Sequence, residues 1–272
     1  MRSWILILVL LGSFSCNNSI SRFEKKSSDK TGVNFKNTLK YTEDFNPYTY
    51  RNFFNGGGVA LGDINNDGLI DIYFTGNIVN NALYLNKGNW KFEDITNSAG
   101  VLCENNWSTG ATFIDINNDG FLDIYVAKSG KPGGPNRHNE LFINQGDLTF
   151  VESSKDYGLD IEGLSVHAAF FDSDGDLDLD AYVLNNSIRS VGTYDLIQDQ
   201  RNISSDDGNK LLENIDNKFK NASSKNGIYS SNIGFGLGIT LSDFNGDLWP
   251  DIFISNDFFE KDYLWKSCHR SF

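Results

Sequence analysis

Hydrophobic residues occur along this chain in short alternating runs that Asn, Asp and Gly interrupt. In the first such unit, runs at Val59–Leu61 and Ile70–Thr75 flank an acidic loop, and a turn separates two further runs at Leu83–Asn86 and Lys91–Asp94. Alternation with a period of two, bounded by turn-forming residues, predicts strands rather than helices. The unit is therefore predicted to fold as four strands, with the acidic loop between the first two.

The same arrangement recurs along the chain, and an internal repeat of this kind defines the architecture. The third unit keeps only a weak second hairpin, around Lys210 and Lys218. A unit of about fifty residues is the length of one four-stranded blade of a β-propeller. We therefore predict an all-β fold, a propeller-type repeat array of four-stranded blades. The predicted blades start near Gly56, Ser108, Leu164 and Gly234.

Two irregular regions modify this picture. Residues 185–209 form a polar insertion in the third unit and are predicted to be a long surface loop. The fourth unit begins a third strand at Asp262, but residues 267–272 lack the Asn/Gly turn and the last strand. About three and a half blades are thus expected, and since repeat arrays need terminal units that cover their open faces, the array is predicted to be incomplete through truncation.

The N-terminal residues predict export. Arg2 precedes the apolar run Trp4–Leu11, which is too short to span a bilayer, so residues 1–15 are predicted to be a signal peptide. Cys16 follows, and the segment resembles a bacterial lipoprotein signal in which this cysteine is lipidated; an ordinary secretory signal is the alternative. We expect residues 16–54 to be a lipid-anchor tether and lead-in, packed only from the aromatic run 41–54, and residues 55–272 to be the repeat region.

Each unit carries an acidic loop of the form D-x-[DN]-x-D-x-x-x-D. Oxygens of the side chains at positions 1, 3, 5 and 9, completed by a main-chain carbonyl near position 7, are the hard ligands that Ca²⁺ prefers. The loops contain no His or Cys, which argues against zinc. We predict up to four Ca²⁺ sites. Their predicted ligands are Asp63, Asn65, Asp67, Asp71; Asp115, Asn117, Asp119, Asp123; Asp172, Asp174, Asp176, Asp180; and Asp243, Asn245, Asp247, Asp251.

Two alternatives compete with calcium loops of this type. An EF-hand needs a glutamate at position 12 and flanking helices, whereas position 12 is apolar here and the flanks alternate. A set of Asp/Asn/Gly turns that bind no metal is the other alternative. In the third and fourth loops Leu177 and Leu248 replace the glycine at position 6, which weakens the prediction there. Asp178 is an extra carboxylate of the third loop that we expect to face away.

The net charge and the absence of common catalytic motifs limit the classes of function that this chain could have. The net charge of -13 leaves no basic stripe for phosphates, so no nucleic-acid partner is expected. Cys103 and Cys268 are too few for a disulfide framework. The common catalytic motifs are missing, and His167 is predicted to be a core or channel residue. We favour a non-catalytic surface scaffold that binds a protein or glycan. The alternative is a calcium-dependent carbohydrate-active enzyme, or a nutrient-uptake module, whose active part lies beyond residue 272.

The repeats resemble a known family. Phe235-Gly236, Gly238 and the loop that starts at Asp243 match the FG-GAP pattern, and residues 55–266 as a whole resemble the FG-GAP and VCBS repeats of integrin-α-type propellers. They look most like bacterial surface proteins related to cartilage acidic protein and UnbV. The resemblance implies a propeller with calcium between the first two strands of each blade, and a location on the bacterial outer membrane or cell surface, or secretion. Such propellers close with about seven blades, and the UnbV C-terminal segment is absent.

Overall fold

A computed structural model of the chain describes residues 21–104, 106–131, 133–187, 205–231, 233–257 and 260–267. The predicted signal peptide, Cys16 and most of the polar insertion lie outside these residues. Strands dominate the described part. They are β1 Val59–Gly62, β2 Asp71–Phe74, β3 Ala82–Asn86, β4 Phe92–Asp94, β5 Ser108–Ile114, β6 Asp123–Lys128, β7 Glu140–Asn144, β8 Phe150–Glu152, β9 Ser165–Phe171, β10 Asp180–Asn185, β11 Lys210–Asn214, β12 Phe219–Asn221, β13 Gly236–Ser242, β14 Asp251–Asn256 and β15 Tyr263–Trp265.

The strands form separate antiparallel sheets that follow chain order. We call them blades 1 to 4: β1–β4, β5–β8, β9–β12 and β13–β15. In each blade the first strand pairs with the second and the second with the third. The first strands of successive blades are neighbours, β1 with β5, β5 with β9 and β9 with β13. The prediction of an all-β, propeller-type array is confirmed, and the weak hairpin of the third unit forms β11 and β12.

Apolar side chains fill the space between blades. We call the side of a sheet that points to the next blade its front face, and the opposite side its back face. On the front face of blade 1, Tyr73 and Leu83 are fully buried, and they share a cluster with Ile124, Val126 and Phe142 on the back face of blade 2. Equivalent clusters join the later blades. These contain Tyr125, Leu141, Ala181, Val183 and Leu212 between blades 2 and 3, and Tyr182, Leu211, Ile252 and Ile254 between blades 3 and 4.

A buried asparagine closes the connection between the second and third strands of a blade. In blade 2, the side-chain amide of Asn139 donates to the hydroxyl of Tyr125 at 2.8 Å and to Ser165 Oγ at 3.0 Å. Its carbonyl oxygen accepts the N–H of Lys128 at 2.8 Å. Asn81 binds Tyr73 and the N–H of Gly76 in the same way in blade 1. Because the tyrosine is buried at the front face, this pair ties the strand connection to the interblade core.

Blade 4 changes both members of this pair together. Phe253 takes the place of the tyrosine, and Asp262 takes the place of the asparagine. Asp262 still accepts the N–H of Asn256 at 2.8 Å. Phe253 has no hydroxyl, so a side-chain amide at this position would have no acceptor for its N–H. A carboxylate, which can only accept hydrogen bonds, still binds the main-chain N–H.

Three short helices share one position relative to the blades. They are α1 Ser28–Thr31, α2 Thr96–Ala99 and α3 Ser154–Tyr157, and each ends at a left-handed glycine. A Cβ on that glycine would approach the carbonyl oxygen of a phenylalanine in the fourth strand of the following blade, so a side chain is poorly tolerated. The glycine and phenylalanine pairs, with the Cβ to oxygen distance, are Gly32 and Phe92 at 2.5 Å, Gly100 and Phe150 at 3.5 Å, and Gly158 and Phe219 at 2.6 Å.

The segment that carries α1, residues 27–37, therefore lies on blade 1 as the interblade connectors lie on blades 2 and 3. We call it the leading connector. Phe35 stacks on Phe74 with ring centroids 5.0 Å apart, and the N–H of Asn34 donates to the hydroxyl of Tyr84. The prediction that residues up to 40 form a surface tether is thus wrong for this segment. The polar composition of this segment gave no indication of the short helix that ends at Gly32 or of the apolar side chains, such as Phe35, that face the sheet.

Part of the aromatic run that follows the leading connector packs against the blades. Tyr50 and Phe53 are buried with Trp107 and Leu164. A 3-10 helix, Arg51–Phe54, lies in this cluster. The guanidinium of Arg51 lies 4.5 Å from the ring centroid of Phe235, at the start of blade 4. The lead-in thus connects blade 1 to the later blades. No helix in the described ranges has the length and hydrophobicity needed to cross a membrane.

Replacement of Asn139 by alanine should destabilise the fold by about 2–3 kcal/mol, because it leaves the Lys128 N–H without a partner and leaves the buried Tyr125 hydroxyl with only its bond to the carbonyl of Leu159. Urea unfolding followed by tryptophan fluorescence measures the change. Asn97→Ala is the control, since Asn97 is exposed on α2, and it should change stability by less than about 0.5 kcal/mol. Equal effects of the two substitutions would contradict the role assigned to Asn139.

Candidate metal-binding loops

The acidic loops join the first and second strands of every blade. In blade 2, Trp107 precedes β5 and the loop that begins at Asp115 follows it. The loops and the aromatic lead-in cluster therefore lie at opposite ends of the inner strands. The strand ends bring the first and last aspartates of each loop together, since Gly62 pairs with Asp71 in blade 1 and Ile114 with Asp123 in blade 2.

The aspartate at position 1 organises the backbone of each loop. In the first loop, Asp63 Oδ2 accepts the N–H of Gly68 at 2.7 Å, and Asp63 Oδ1 accepts the N–H of Asp67 at 3.1 Å. Asp67 in turn accepts the N–H of Leu69 at 2.8 Å. The corresponding bonds to position 1, with donors at position 6, occur in every loop. They join Gly120 to Asp115 at 2.9 Å, Leu177 to Asp172 at 3.1 Å, and Leu248 to Asp243 at 2.8 Å.

The aspartate at position 9 has a structural role that we did not predict. Asp71 is fully buried; its Oδ2 accepts the N–H of Ile64 at 3.0 Å, and its Oδ1 accepts the N–H of Asn86 at 2.7 Å. One carboxylate therefore joins the loop, the second strand and the end of the third strand. The same pair of bonds is made by Asp123 to Ile116 and Asn144, by Asp180 to Ser173 and Asn214, and by Asp251 to Phe244 and Ser267.

Burial raises the proton affinity of three of these carboxylates, those of Asp71, Asp123 and Asp180. The pKa of Asp123 is raised to about 6; desolvation is the main cause, the charges of Asp119 and Asp115 contribute, and the N–H groups of Asn144 and Ile116 oppose the shift. The pKa values of Asp71 and Asp180 are raised with the same leading cause. A carboxylate that is buried beside two others gains from a nearby cation, because a positive charge offsets both desolvation and repulsion.

The residue at position 3 adds a further oxygen-bearing side chain to the loop, besides those at positions 1 and 9. In the first two loops it is an asparagine whose amide donates to the aspartate at position 5, at 3.1 Å from Asn65 to Asp67 and 2.8 Å from Asn117 to Asp119. In the third loop, Asp172, Asp174 and Asp176 each offer a carboxylate oxygen, and these oxygens lie within 4.8 Å of one another. The donor set of all four loops is thus carboxylate and amide oxygen, which suits calcium.

The third loop brings an additional carboxylate close to its other aspartates. Desolvation, followed by the charge of Asp176, raises the pKa of Asp178 to about 6. The Asp178 side chain therefore lies beside Asp176, and the expectation that it faces away is wrong. In the fourth loop the amide of Asn245 instead reaches Asp251 at 3.3 Å, and Lys266 Nζ lies 3.8 Å from Asp247 Oδ2.

Positions 4 and 6 of every loop have left-handed backbone. The first two loops place an asparagine at position 4 and a glycine at position 6, and the last two place a glycine at position 4 and a leucine at position 6. Leu177 and Leu248 have φ of 75° and 72°, close to the 82° and 88° of Gly68 and Gly120. The replacement of glycine by leucine therefore leaves the backbone path unchanged, at a cost in strain.

Neighbouring loops contact each other in two pairs. The amide of Asn66 in the first loop donates to the carbonyl of Gly120 in the second at 2.9 Å. Asn144, at the end of β7, donates to the carbonyls of both Ile64 and Leu122. Between the third and fourth loops, the indole of Trp249 lies over Gly175, where a Cβ would be only 2.6 Å away.

The inner strands surround a cavity of about 340 Å³ at the other end of the blades. Residues of all four blades and of the lead-in line it, including Gly58, Gly110 and Tyr50. His167, on β9, also lines it, in agreement with the predicted channel position. Burial lowers the pKa of His167, so the imidazole is neutral at physiological pH.

Successive antiparallel sheets of four strands, or three in blade 4, with an acidic loop after each first strand define a β-propeller-type repeat protein. Residues 63–126, which contain the first two loops, match the FG-GAP-like repeat family. The chain is 29% identical over 202 residues to cartilage acidic protein 1 of Mus musculus and 28% identical over 202 residues to that of Homo sapiens. It is 28% identical over 207 residues to that of Xenopus tropicalis.

Residues 63–126 are therefore FG-GAP-like repeats, and the later blades repeat the same arrangement of strands and acidic loop. The alignments with cartilage acidic protein 1 cover 74–75% of this chain and 28–29% of the relatives, so the chain spans less than a third of their length. An asparagine recurs at the end of the third strand, as Asn86, Asn144 and Asn214; its main-chain N–H donates to the aspartate at position 9, and its side-chain amide donates to the carbonyl of the residue before that aspartate. It was not recognised in the sequence because its partner lies about fifteen or more residues away.

The strain at position 6 gives a testable expectation. Leu177→Asn should stabilise the fold by about 0.5–1 kcal/mol, because asparagine tolerates left-handed backbone and the leucine side chain, exposed to 87%, loses little contact. Leu177→Ala is the matched control: it removes the same side chain but lacks the short polar group that makes asparagine tolerant of left-handed backbone, so stability should stay nearly constant. Chemical unfolding of the three proteins measures this, and a gain with alanine equal to that with asparagine would contradict backbone strain.

Proposed function

We propose that this chain binds up to four Ca²⁺ ions through its acidic loops and acts as an exported, non-catalytic scaffold that presents a binding surface. One observation carries the proposal. All four loops hold their oxygens in the same frame, in which position 1 accepts the N–H of position 6 and position 9 accepts the N–H of position 2. A chance group of acidic turns gives no reason for this repeated arrangement.

The donor set fits calcium. The side chains at positions 1, 3, 5 and 9 would hold the ion, together with a main-chain carbonyl at position 7, for example that of Leu69. When bound, calcium supplies positive charge among carboxylates that otherwise repel one another. The residues themselves fix the loop: position 1 orders the turn, and position 9 anchors it to the second and third strands. Calcium would therefore lock each blade at the junction of three strands.

A binding role is supported by the opposite end of the blades. There the cavity is lined by glycine backbone, by Tyr50 and by the neutral His167, a surface suited to an uncharged group of a protein or glycan ligand. Export is supported by the similarity to FG-GAP repeats and to cartilage acidic protein, and lipidation at Cys16 is part of the same proposal. The partner would then be met outside the cell, on the surface or in the surrounding medium.

Calcium should raise the thermal stability of the chain relative to excess EDTA. A site filled at about ten times its dissociation constant adds about 1.4 kcal/mol. Asp63→Asn with Asp115→Asn should remove about half of the bound calcium in a titration by calorimetry, while the amide still accepts a loop N–H. Asp160→Asn with Asp216→Asn, an equal change of charge at exposed positions outside the loops, should leave the response intact. Wild-type protein that takes up no calcium would refute the metal sites.

The non-catalytic role is tested separately with the calcium-loaded protein. Saturable binding to members of a glycan array, or to extracellular matrix proteins, is expected without turnover of acidic or neutral polysaccharides. Release of reducing ends or of unsaturated products would instead support a carbohydrate-active enzyme. His167→Ala should weaken any binding that uses the cavity, because His167 lines it.

A further inference from the structure

The first and second acidic loops share hydrogen bonds that reach the groups expected to bind calcium. The side-chain amide of Asn66, at position 4 of the first loop, donates to the carbonyl of Gly120 at 2.9 Å. The N–H of Gly120 donates to Asp115 Oδ2, also at 2.9 Å. Because Asn66 lies between the side chains at positions 3 and 5, this contact joins the frame of the first loop to the position 1 aspartate of the second.

Asn144 makes a second connection, between the aspartates at position 9. Its side-chain amide donates to the carbonyl of Ile64 at 2.9 Å, and its main-chain N–H donates to Asp123 Oδ1 at 2.8 Å. The N–H of Ile64 donates to Asp71 Oδ2 at 3.0 Å. These three hydrogen bonds are buried, and they connect Asp71 of the first loop to Asp123 of the second through only two residues.

The second and third loops lack such a connection. Asn118, at position 4 of the second loop, has a φ of 62°, close to the 60° of its counterpart in the first loop. No hydrogen bond joins residues 115–123 to residues 172–180, two segments that the structure describes in full. The side-chain amide of Asn214, the counterpart of Asn144 in blade 3, donates only to a carbonyl of its own blade. The shared hydrogen bonds therefore define the first two loops as a pair.

We propose that the first two loops bind calcium as a coupled pair, in which Asn66 and Asn144 are positioning residues. Calcium in either loop raises the affinity of the other, whereas the third loop binds calcium independently of the second. This inference rests on the proposed calcium sites and adds that two of them act together. Neither asparagine needs to touch the ion, since each acts on the backbone that orients the ligands.

The coupling follows from the shared ordering of the backbone. An ion in the first loop holds Asp71, and through it the peptide group of Ile64, to which the amide of Asn144 is bonded. The same ion orders Asn66 and hence the peptide group of Gly120, whose N–H orients the position 1 aspartate of the second loop. A second ion then meets a frame that is already ordered, so its binding has to offset a smaller loss of conformational entropy.

Charge acts in the opposite direction. Each of the two loops has three aspartates, so a bound Ca²⁺ leaves one net negative charge and weakens the field that attracts an ion to the neighbouring loop. The aspartates at position 5, Asp67 and Asp119, are exposed, and salt screens interactions between exposed charges. The interloop hydrogen bond of Asn144 is buried and is screened far less. At an ionic strength of about 0.15 M we therefore expect the ordering of the backbone to dominate and the coupling to be positive.

Calcium titration by calorimetry, in a chain that keeps only the first two loops active, tests the coupling. Asp172→Asn with Asp243→Asn disables the third and fourth loops, while the amide still accepts the loop N–H. This parent variant should bind two ions cooperatively, each loop being at least about fivefold tighter when the other is filled. Adding Asp63→Asn or Asp115→Asn should leave one ion bound at the weaker affinity, and linkage requires the same factor in both directions.

Asn66→Gly removes the first connection and keeps the backbone of the loop. Glycine occupies position 4 in the third and fourth loops with φ of 85° and 80°, so the left-handed backbone is retained and only the amide is lost. The coupling factor should fall about twofold or more. Asn118→Gly is the matched control, because it makes the same change in the second loop without the loss of a bond to the third, and the factor should stay as in the parent.

Asn144→Ala removes the second connection, with Asn214→Ala as its control, and together with Asn66→Gly it should abolish the coupling. Independent binding of two ions by the parent variant, or an unchanged coupling factor in Asn66→Gly, would overturn the pairing and leave the calcium sites in place. A parent variant that binds no calcium would instead remove the proposed sites, and the pairing with them. Asn66→Gly decides alone if Asn144→Ala fails to fold.

Discussion

A single buried carboxylate at the start of each second strand holds a blade together. Asp71 and its equivalents accept one N–H from the acidic loop and one from the end of the third strand, so loop, hairpin and sheet meet at one side chain. Main-chain donors in such a place must be satisfied, since an unpaired buried N–H costs about as much as a lost hydrogen bond. This arrangement removes a carboxylate charge from water, which is unfavourable, and the raised pKa of Asp123 reflects that desolvation.

This constraint links the fold to the proposed calcium sites. The aspartate at position 9, which joins the loop to the second and third strands, lies beside the carboxylates at positions 1 and 5. Repulsion between these charges therefore destabilises the side chain that holds the blade together. A cation in the loop would therefore act on the stability of the whole blade. Contacts between neighbouring loops, such as that from Asn66 to Gly120, extend this effect from one blade to the next.

The blades depend on one another for their apolar surfaces. Tyr73, Tyr125 and Tyr182 are buried only because a following blade covers them, and the asparagine that binds the hydroxyl of Tyr73 or Tyr125 fixes the strand connection at the same place. The leading connector contributes to this packing on blade 1, where Phe35 stacks on Phe74.

The sequence by itself determined the strands, the order of the blades and the positions of the acidic loops, because alternation and turn chemistry act between residues close together in the chain. It did not indicate that Asp71 is buried and accepts hydrogen bonds from two strand connections. Nor did it indicate that Asn139 binds Tyr125, or that the polar segment around Gly32 lies against a sheet. Each of these depends on contacts between residues distant in sequence, such as Gly32 with Phe92. Tertiary packing decided them, because only the folded blades bring those partners within hydrogen-bonding or van der Waals distance.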